Sequence, residues 1–411
     1  MPVFAREANR RIAGRWPQLY FAATPRECRS EVESAANRSR IAGLDGLRAI
    51  AILAVLLAHS LEVSVARSPA DARWIAIASK FGPFGVRLFF AISGYLITSL
   101  FLRELKAYGP VLALRMFYIR RVFRIVPPFL PYLAVLAIGG ALWHWPIREL
   151  EIVRAGAFLG NYFPGSWLLN HFWSLAVEEH FYLFWPPLMA LAGQSRSKWC
   201  CVAIVSTVAV LRALTLARHP VADYSWLLLQ THLILDFLVY AALLALLIRN
   251  PSIRRWLCAH ARPAVLGGLL AMLLLVNLVA PKVTGFDPRS LEAMLFAFLV
   301  VLPSLQPEMT LVRWLEHPVL VWIGRRSYSI YIWQQLFLVP LGVTLLRNCE
   351  WFVPRLIPIF AVAALSYRFL EQPMMRQGRE LAGRLSQAAP QAASYTVTFQ
   401  VVSAEGIERS T

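Results

Sequence analysis

The chain has 411 residues, 58% of them apolar and only 16% charged, whereas an ordinary soluble domain carries about 25% charged residues, so a soluble fold is excluded. The formal net charge is +18, but the basic residues flank apolar runs instead of gathering into a stripe, which excludes nucleic-acid binding and makes the excess a topology signal. Cys28, Cys200, Cys201, Cys258 and Cys349 show neither metal-ligand spacing nor a disulfide framework, and no metal site is expected.

Residues 1–40 are polar, lack the pattern of a cleaved signal peptide, and are expected to form a cytoplasmic tail in which 4–20 is a weak surface helix. Ten apolar runs follow, at 44–65, 81–102, 126–143, 171–193, 199–217, 229–248, 263–280, 290–305, 327–346 and 353–370. Each approaches the roughly 20 residues a bilayer requires, so the expected fold is all-α, a membrane bundle of about ten transmembrane helices. Nine or eleven spans remain open, because the eighth run is short and 150–165 suits partial insertion. The loop 103–124 holds Arg103, Lys106, Arg115, Arg120, Arg121 and Arg124 against the single acid Glu104, and should stay inside. Ten spans then return the polar tail 376–411 to the cytoplasm. The expected organisation is tail 1–40, membrane domain 41–375 and tail 376–411, in the inner membrane of a bacterium.

Several spans carry ionisable groups, each expensive to insert at about 2.5–3.5 kcal/mol for a charge near the bilayer centre. In the first span Arg48 precedes His59 by eleven residues, which places them within about 20° of one helical face and about 16 Å apart. Arg87, Glu178, Arg212 and Asp236 enter four other spans, and His232 lies one turn before Asp236. On this topology Glu178 is level with His59. Plainer roles stand beside a catalytic one: an Arg87–Glu178 ion pair, an Arg212 that snorkels to the headgroups, a His232–Asp236 cross-link between helices, and Glu179 and His180 at an aqueous rim. Imidazole is the side chain best matched to general-base work near neutral pH, which singles out His59.

A second constellation is Phe117-Tyr118-Ile119-Arg120-Arg121-Val122-Phe123-Arg124-Ile125-Val126-Pro127-Pro128. In a helix Arg120, Arg121 and Arg124 share or adjoin one face, and Pro127-Pro128 suits the start of a new helix. The cluster fits either a phosphate-binding fork or a plain positive-inside anchor.

Six segments in order give the chain a likeness. They are Leu44-Asp45-Gly46-Leu47-Arg48-Ala49 running on to His59; the stretch 84–97; Arg120 to Pro127 as quoted; Trp173-Ser174-Leu175-Ala176-Val177-Glu178-Glu179-His180-Phe181-Tyr182; Gly324-Arg325-Arg326-Ser327-Tyr328-Ser329-Ile330-Tyr331-Ile332-Trp333; and Tyr367-Arg368-Phe369-Leu370-Glu371-Gln372-Pro373. The chain resembles the acyltransferase-3 family of integral membrane O-acyltransferases, which modify bacterial surface polysaccharides, nodulation factors and some antibiotics. The likeness covers nearly all of the membrane part, and six motifs in order are specific where one would not be. Two positions depart from it: many relatives have Asp at Arg87 and His at Gln334. Some relatives carry a C-terminal hydrolase-like domain, which is not expected here.

The resemblance implies that Arg48 and His59 form the family's arginine–histidine motif, that Arg121 and Arg124 are its paired arginines, and that Glu178 is its glutamate. It further implies an acyl-coenzyme A donor, acetyl-coenzyme A above all, held by Arg48, Arg121 and Arg124. The acceptor is expected to be a glycan or glycolipid hydroxyl, with Arg87, Ser93, Trp173, Tyr331 and Gln334 as its contacts. In that scheme His59, oriented by Glu178, takes the hydroxyl proton. The other classes weighed are a transporter of an anionic solute, which internal repeats and broken helices would favour, and a polyprenyl-linked glycosyltransferase, which would carry acidic pairs in a large extramembrane loop; the sequence shows none of these.

Overall fold

The computed structural model describes residues 41–62, 81–218, 226–279, 287–338 and 352–388. The N-terminal tail, Cys28, Cys349, the end of the 327–346 run and everything after 388 lie outside the described residues. Among the described residues every regular element is helical, as expected of an all-α fold. In chain order these are α1 (Leu44–Glu62), α2 (Phe81–Trp143), α3 (Glu149–Gly156), α4 (Trp167–Asn170) and α5 (Phe172–Arg218). After a 3₁₀ turn come α6 (Thr231–Ile234), α7 (Asp236–Leu247), α8 (Pro251–His260), α9 (Pro263–Val279) and α10 (Arg289–Ser304). The last are α11 (Thr310–Leu315), α12 (Pro318–Arg325), α13 (Ser327–Phe337), α14 (Phe352–Ser366), a π-helical turn at Tyr367–Glu371, and α15 (Gln372–Ala388).

At 63 residues α2 would be about 95 Å long if straight, three times the thickness of a bilayer core. It is two limbs joined at Gly109, whose φ of 74° and ψ of 173° suit glycine alone. Pro110 then opens the second limb, where its missing N–H costs nothing. The 47-residue α5 turns in the same way at Gly193, with φ 69° and ψ 169°. Among the described residues three helical stretches, Leu44–Glu62, Gly82–Trp143 and Trp167–Arg218, are long and apolar enough to cross a membrane. They become four if α7 and α8, bent by 113°, form one broken span. The protein is thus a multi-pass membrane protein. Large apolar side chains such as Leu191, 85% exposed, face outward as lipid contacts require.

Two expectations are corrected here. Pro127 and Pro128 do not begin a helix: they lie inside the second limb of α2, with Pro131 beyond them. The arginine cluster and the third apolar run are therefore one continuous rod. α13 packs against this stretch, its Tyr328 hydroxyl donating to the Ile125 carbonyl at 2.9 Å. The expected polar tail at 376–411 is helical as far as 388, and α15 packs against α2, with Gly378 lying on Phe123. Its charged residues share a helix with an apolar face, so the segment is amphipathic as well as polar. The segment 150–165 holds only the eight-residue α3 and a loop.

The core centres on α7, in which Phe237, Leu238, Val239, Ala241 and Ala242 are fully buried against α2, α5 and α10. Arg212 does not snorkel. At 1% exposure it pairs with Asp236 at 2.8 Å and with Asp287 at 2.5 Å, and Ser290 donates to Asp236 at 3.1 Å. Asp236→Ala would leave the guanidinium buried without its two-pronged, fully buried acidic partner, so we expect about 3–5 kcal/mol of lost stability. A thermal-unfolding scan in detergent showing an unchanged midpoint would contradict this.

Candidate active site

One face of the first limb of α5 repeats Ser174, Glu178 and Tyr182 at i, i+4 and i+8, which stacks them in a row. The row meets Ser93 of α2: Ser93 Oγ donates to Glu178 Oε1 at 3.1 Å, and the Tyr182 hydroxyl donates to Oε2 at 2.8 Å. Arg48 of α1 and Arg121 of α2 are the cations whose charge reaches this carboxylate. The Arg121 guanidinium lies over the rings of Phe117 at 5.4 Å and Tyr182 at 5.2 Å, so its direction is set by packing as well as by charge. Arg48 also pairs with Asp45 one turn earlier, at 3.4 Å.

These groups wall a cavity of about 90 Å³, together with Arg124, Glu179, Ser327, Tyr328 and Tyr331. Three arginines and two glutamates share it. It is small and lined by charge on one side. Arg121 and Arg124 are each half-buried. Arg120, the third basic residue of the cluster, points elsewhere and pairs with Glu104.

His59 belongs to a different group. Its ring meets Trp167 edge-on at 5.9 Å, Gln334 lies against it, and His171 is within electrostatic reach. Several buried polar atoms here lack a well-formed hydrogen bond, namely His59 Nδ1, both ring nitrogens of His171, both amide atoms of Gln334, and Trp333 Nε1, with Gln334 facing His59 and the Ile332 backbone facing His171 at looser geometry. An unmet buried polar atom costs about 1–3 kcal/mol, so this concentration is a capacity for binding hydroxyl groups or water.

The expected His59–Glu178 pair is accordingly not made. The residue of the Trp-Ser-Leu helix that lies near His59 is His171, and Glu178 is seven residues further on, about 10 Å along the helix. That carries it to the Arg48 end, where Ser93 and Tyr182 take both its oxygens. Between the two groups stands Tyr331, whose hydroxyl donates to the His171 carbonyl at 2.7 Å and lies 2.5 Å from Ser174 Oγ. Tyr331 and Ser174 also line the arginine cavity, so they form its partition from the histidines.

Of the other expected contacts, Ser93 and Tyr331 line the cavity and Gln334 lies beside His59. Trp173 is packed edge-on to Phe90 with ring centres 6.0 Å apart, outside the cavity wall. Arg87 is held away from it by Glu292 at 2.6 Å and lies over the Phe237 ring at 5.5 Å, so it does not pair with Glu178. Glu179 lines the cavity instead of an aqueous rim, and His180 turns to Thr231 at 2.7 Å. Asp236 is engaged with Arg212, not with His232. Sequence reasoning missed Tyr182, Ser174 and His171. The first two were available from the four-residue spacing about Glu178. Among the described residues no group of His, Cys, Asp and Glu could hold a metal ion, and Cys200, Cys201 and Cys258 form no disulfide.

Residues 41–368 match the sequence profile of the family described as an acyltransferase domain. A Staphylococcus aureus (strain COL) protein, whose O-acetyltransferase name is itself provisional, is 28% identical over 82% of this chain and 58% of its own length. The peptidoglycan O-acetyltransferase OatA of Listeria monocytogenes is 26% identical over 83% of this chain and 57% of its own. The O-acetyltransferase OatA of S. aureus (strain NCTC 8325) is 25% identical over 82% and 57%. The chain thus spans somewhat over half the length of these curated relatives. No solved structure matches.

Proposed function

Because the chain belongs to the acyltransferase-3 family, we propose that it is a membrane O-acyltransferase that moves an acyl group, acetyl in the first instance, from acyl-coenzyme A to a hydroxyl of a glycan or glycoconjugate. The observation that carries this reading is the arginine-walled cavity separated by one tyrosine–serine pair from a group of buried histidine and amide atoms that lack well-formed hydrogen bonds. An anionic donor suits one side and a hydroxyl-rich acceptor the other. Arg121, Arg124 and Arg48 hold the donor's phosphates at the mouth, and the narrow cavity takes the slender thioester arm. A glycan acceptor is favoured by the Listeria relative's name as a peptidoglycan O-acetyltransferase.

His59 accepts the proton of the acceptor hydroxyl as its oxygen attacks the thioester carbonyl. The new C–O bond forms, the C–S bond breaks, and the coenzyme A thiolate leaves to take up a proton. Gln334 and His171 position the acceptor. Glu178 serves the donor side, where with Ser93 and Tyr182 it fixes the wall opposite Arg48 and Arg121. About ten spans with both tails in the cytoplasm would present the basic cluster to cytoplasmic donor, in the inner membrane.

The test is incubation of the full chain in lipid nanodiscs with acetyl-labelled acetyl-coenzyme A and peptidoglycan fragments or polysaccharide. Label in an alkali-labile ester is expected. No donor consumption, with uptake of an anionic solute into proteoliposomes, would turn the reading to a transporter. Within this scheme Glu178→Gln should lower turnover, because Arg48 and Arg121 lose their compensating charge, yet leave the acidic limb of the pH–rate profile in place. A shifted limb would restore the direct His59–Glu178 coupling that the geometry lacks.

A further inference from the structure

The first limb of α5 has a second occupied face. Opposite Glu178, Glu179 and Tyr182 it presents Phe181, Phe184 and Leu188 to a cavity of about 270 Å³, closed by Ile204 from the second limb and by Leu235 and Val239 beside and within α7. This cavity is three times the volume of the arginine-walled one. Most of its polar end is already engaged. Asn161 Nδ2 donates to Thr231 Oγ1 at 2.8 Å, the Thr231 hydroxyl faces His180 Nδ1 at 2.7 Å, and the Tyr162 ring is stacked on His232 with 6.1 Å between centres, while the buried Asn161 Oδ1 makes no hydrogen bond among the described residues. A bound water needs two to four polar partners and a sugar needs more, so this end offers little to a sugar.

The walls select hydrocarbon. Leu183 and Phe184 beside the cavity are 54% and 67% exposed, the mark of a lipid-facing surface in a membrane protein, so the slot adjoins the bilayer. From His180 to Leu188 it runs about 12 Å along the helix, an elongated apolar slot of the shape an extended hydrocarbon chain takes.

We propose that this slot binds one acyl chain of a bilayer phospholipid. The lipid tail of a glycan acceptor is disfavoured, because α5 itself stands between the slot and the arginine-walled cavity. An occupant therefore acts on that cavity only by bracing the helix that carries Glu178, Glu179 and Tyr182, a role independent of the acyl-transfer reading.

The experiment uses the purified full chain and phosphatidylethanolamine bearing a diazirine in its acyl chain. Photolysis should label residues within 181–188, 204 or 235–239. Ile204→Trp and, separately, Leu188→Trp should fill the slot and lower that labelling at least about tenfold. Undiminished labelling in either variant that keeps its size-exclusion profile overturns the proposal. Should neither variant fold, wild-type labels mapping only outside these residues overturn it, and labels within them uphold it. Polyprenyl phosphate, added in equal amount, should not compete; displacement of the phospholipid would assign the slot to an acceptor tail and overturn the commitment to phospholipid.

Discussion

His59→Ala should lower acyl transfer by roughly 10²- to 10⁴-fold while the protein still inserts and accumulates, the range usual for loss of a general base. The imidazole is half-buried, and its visible neighbours are Trp167, Gln334 and His171 rather than a carboxylate. Its removal therefore strands no ion pair, and stability should change little beyond a lost ring contact. Donor affinity should also survive, since His59 is not on the arginine-walled cavity. Transfer rates, membrane abundance and acyl-coenzyme A binding measured on one preparation separate these effects. Transfer by the variant at the wild-type rate would remove His59 from the mechanism and leave the histidine group as packing.

The second large effect is expected from Arg121→Gln combined with Arg124→Gln. A hydrogen bond to a charged group contributes about 1.5–3 kcal/mol, so losing two should weaken acyl-coenzyme A binding by about 100-fold or more. Glutamine keeps some of the stem that packs between Phe117 and Tyr182, so the fold is spared more than by alanine. Binding by the double variant should also respond less to salt, because fewer exposed charge contacts are left to screen. Filter binding of labelled donor at two or three salt concentrations decides the matter. Unchanged affinity would make the cluster a topology anchor and nothing more. The Arg120–Glu104 pair supplies an internal control: Arg120→Gln removes an equal charge that is already neutralised, and should cost the donor little.

Local pattern carried much of this protein. Apolar run lengths established a multi-pass helical membrane protein, because a bilayer imposes a minimum length that survives any detail of packing. Helical spacing put Arg121 and Arg124 on adjoining faces, and the same rule applied one step further would have found Tyr182 and Ser174 around Glu178. Six ordered motifs pointed to the family. The proline pair and α15 differ from expectation for a related reason: composition suggested a helix start at Pro127-Pro128 and gave 376–411 only as a polar tail, whereas helix runs through the prolines and on to Ala388, where α15 packs on Phe123.

Partners were another matter. Arg87 finds Glu292 at a separation of 205 residues, and Arg212 finds Asp236 and Asp287. No periodicity reports such pairings, since they depend on how helices are arranged and turned about their axes. The same holds for depth. Reading each span from its own end placed Glu178 beside His59, yet an error of two turns moves a side chain about 10 Å, the whole distance between the histidine group and the arginine cavity. The sequence by itself determined which chemistry the chain contains: an imidazole, a pair of arginines and a buried carboxylate in apolar helices. Only the tertiary structure decided which of them meet, because depth and rotation are set by helix-on-helix packing and not by any one helix.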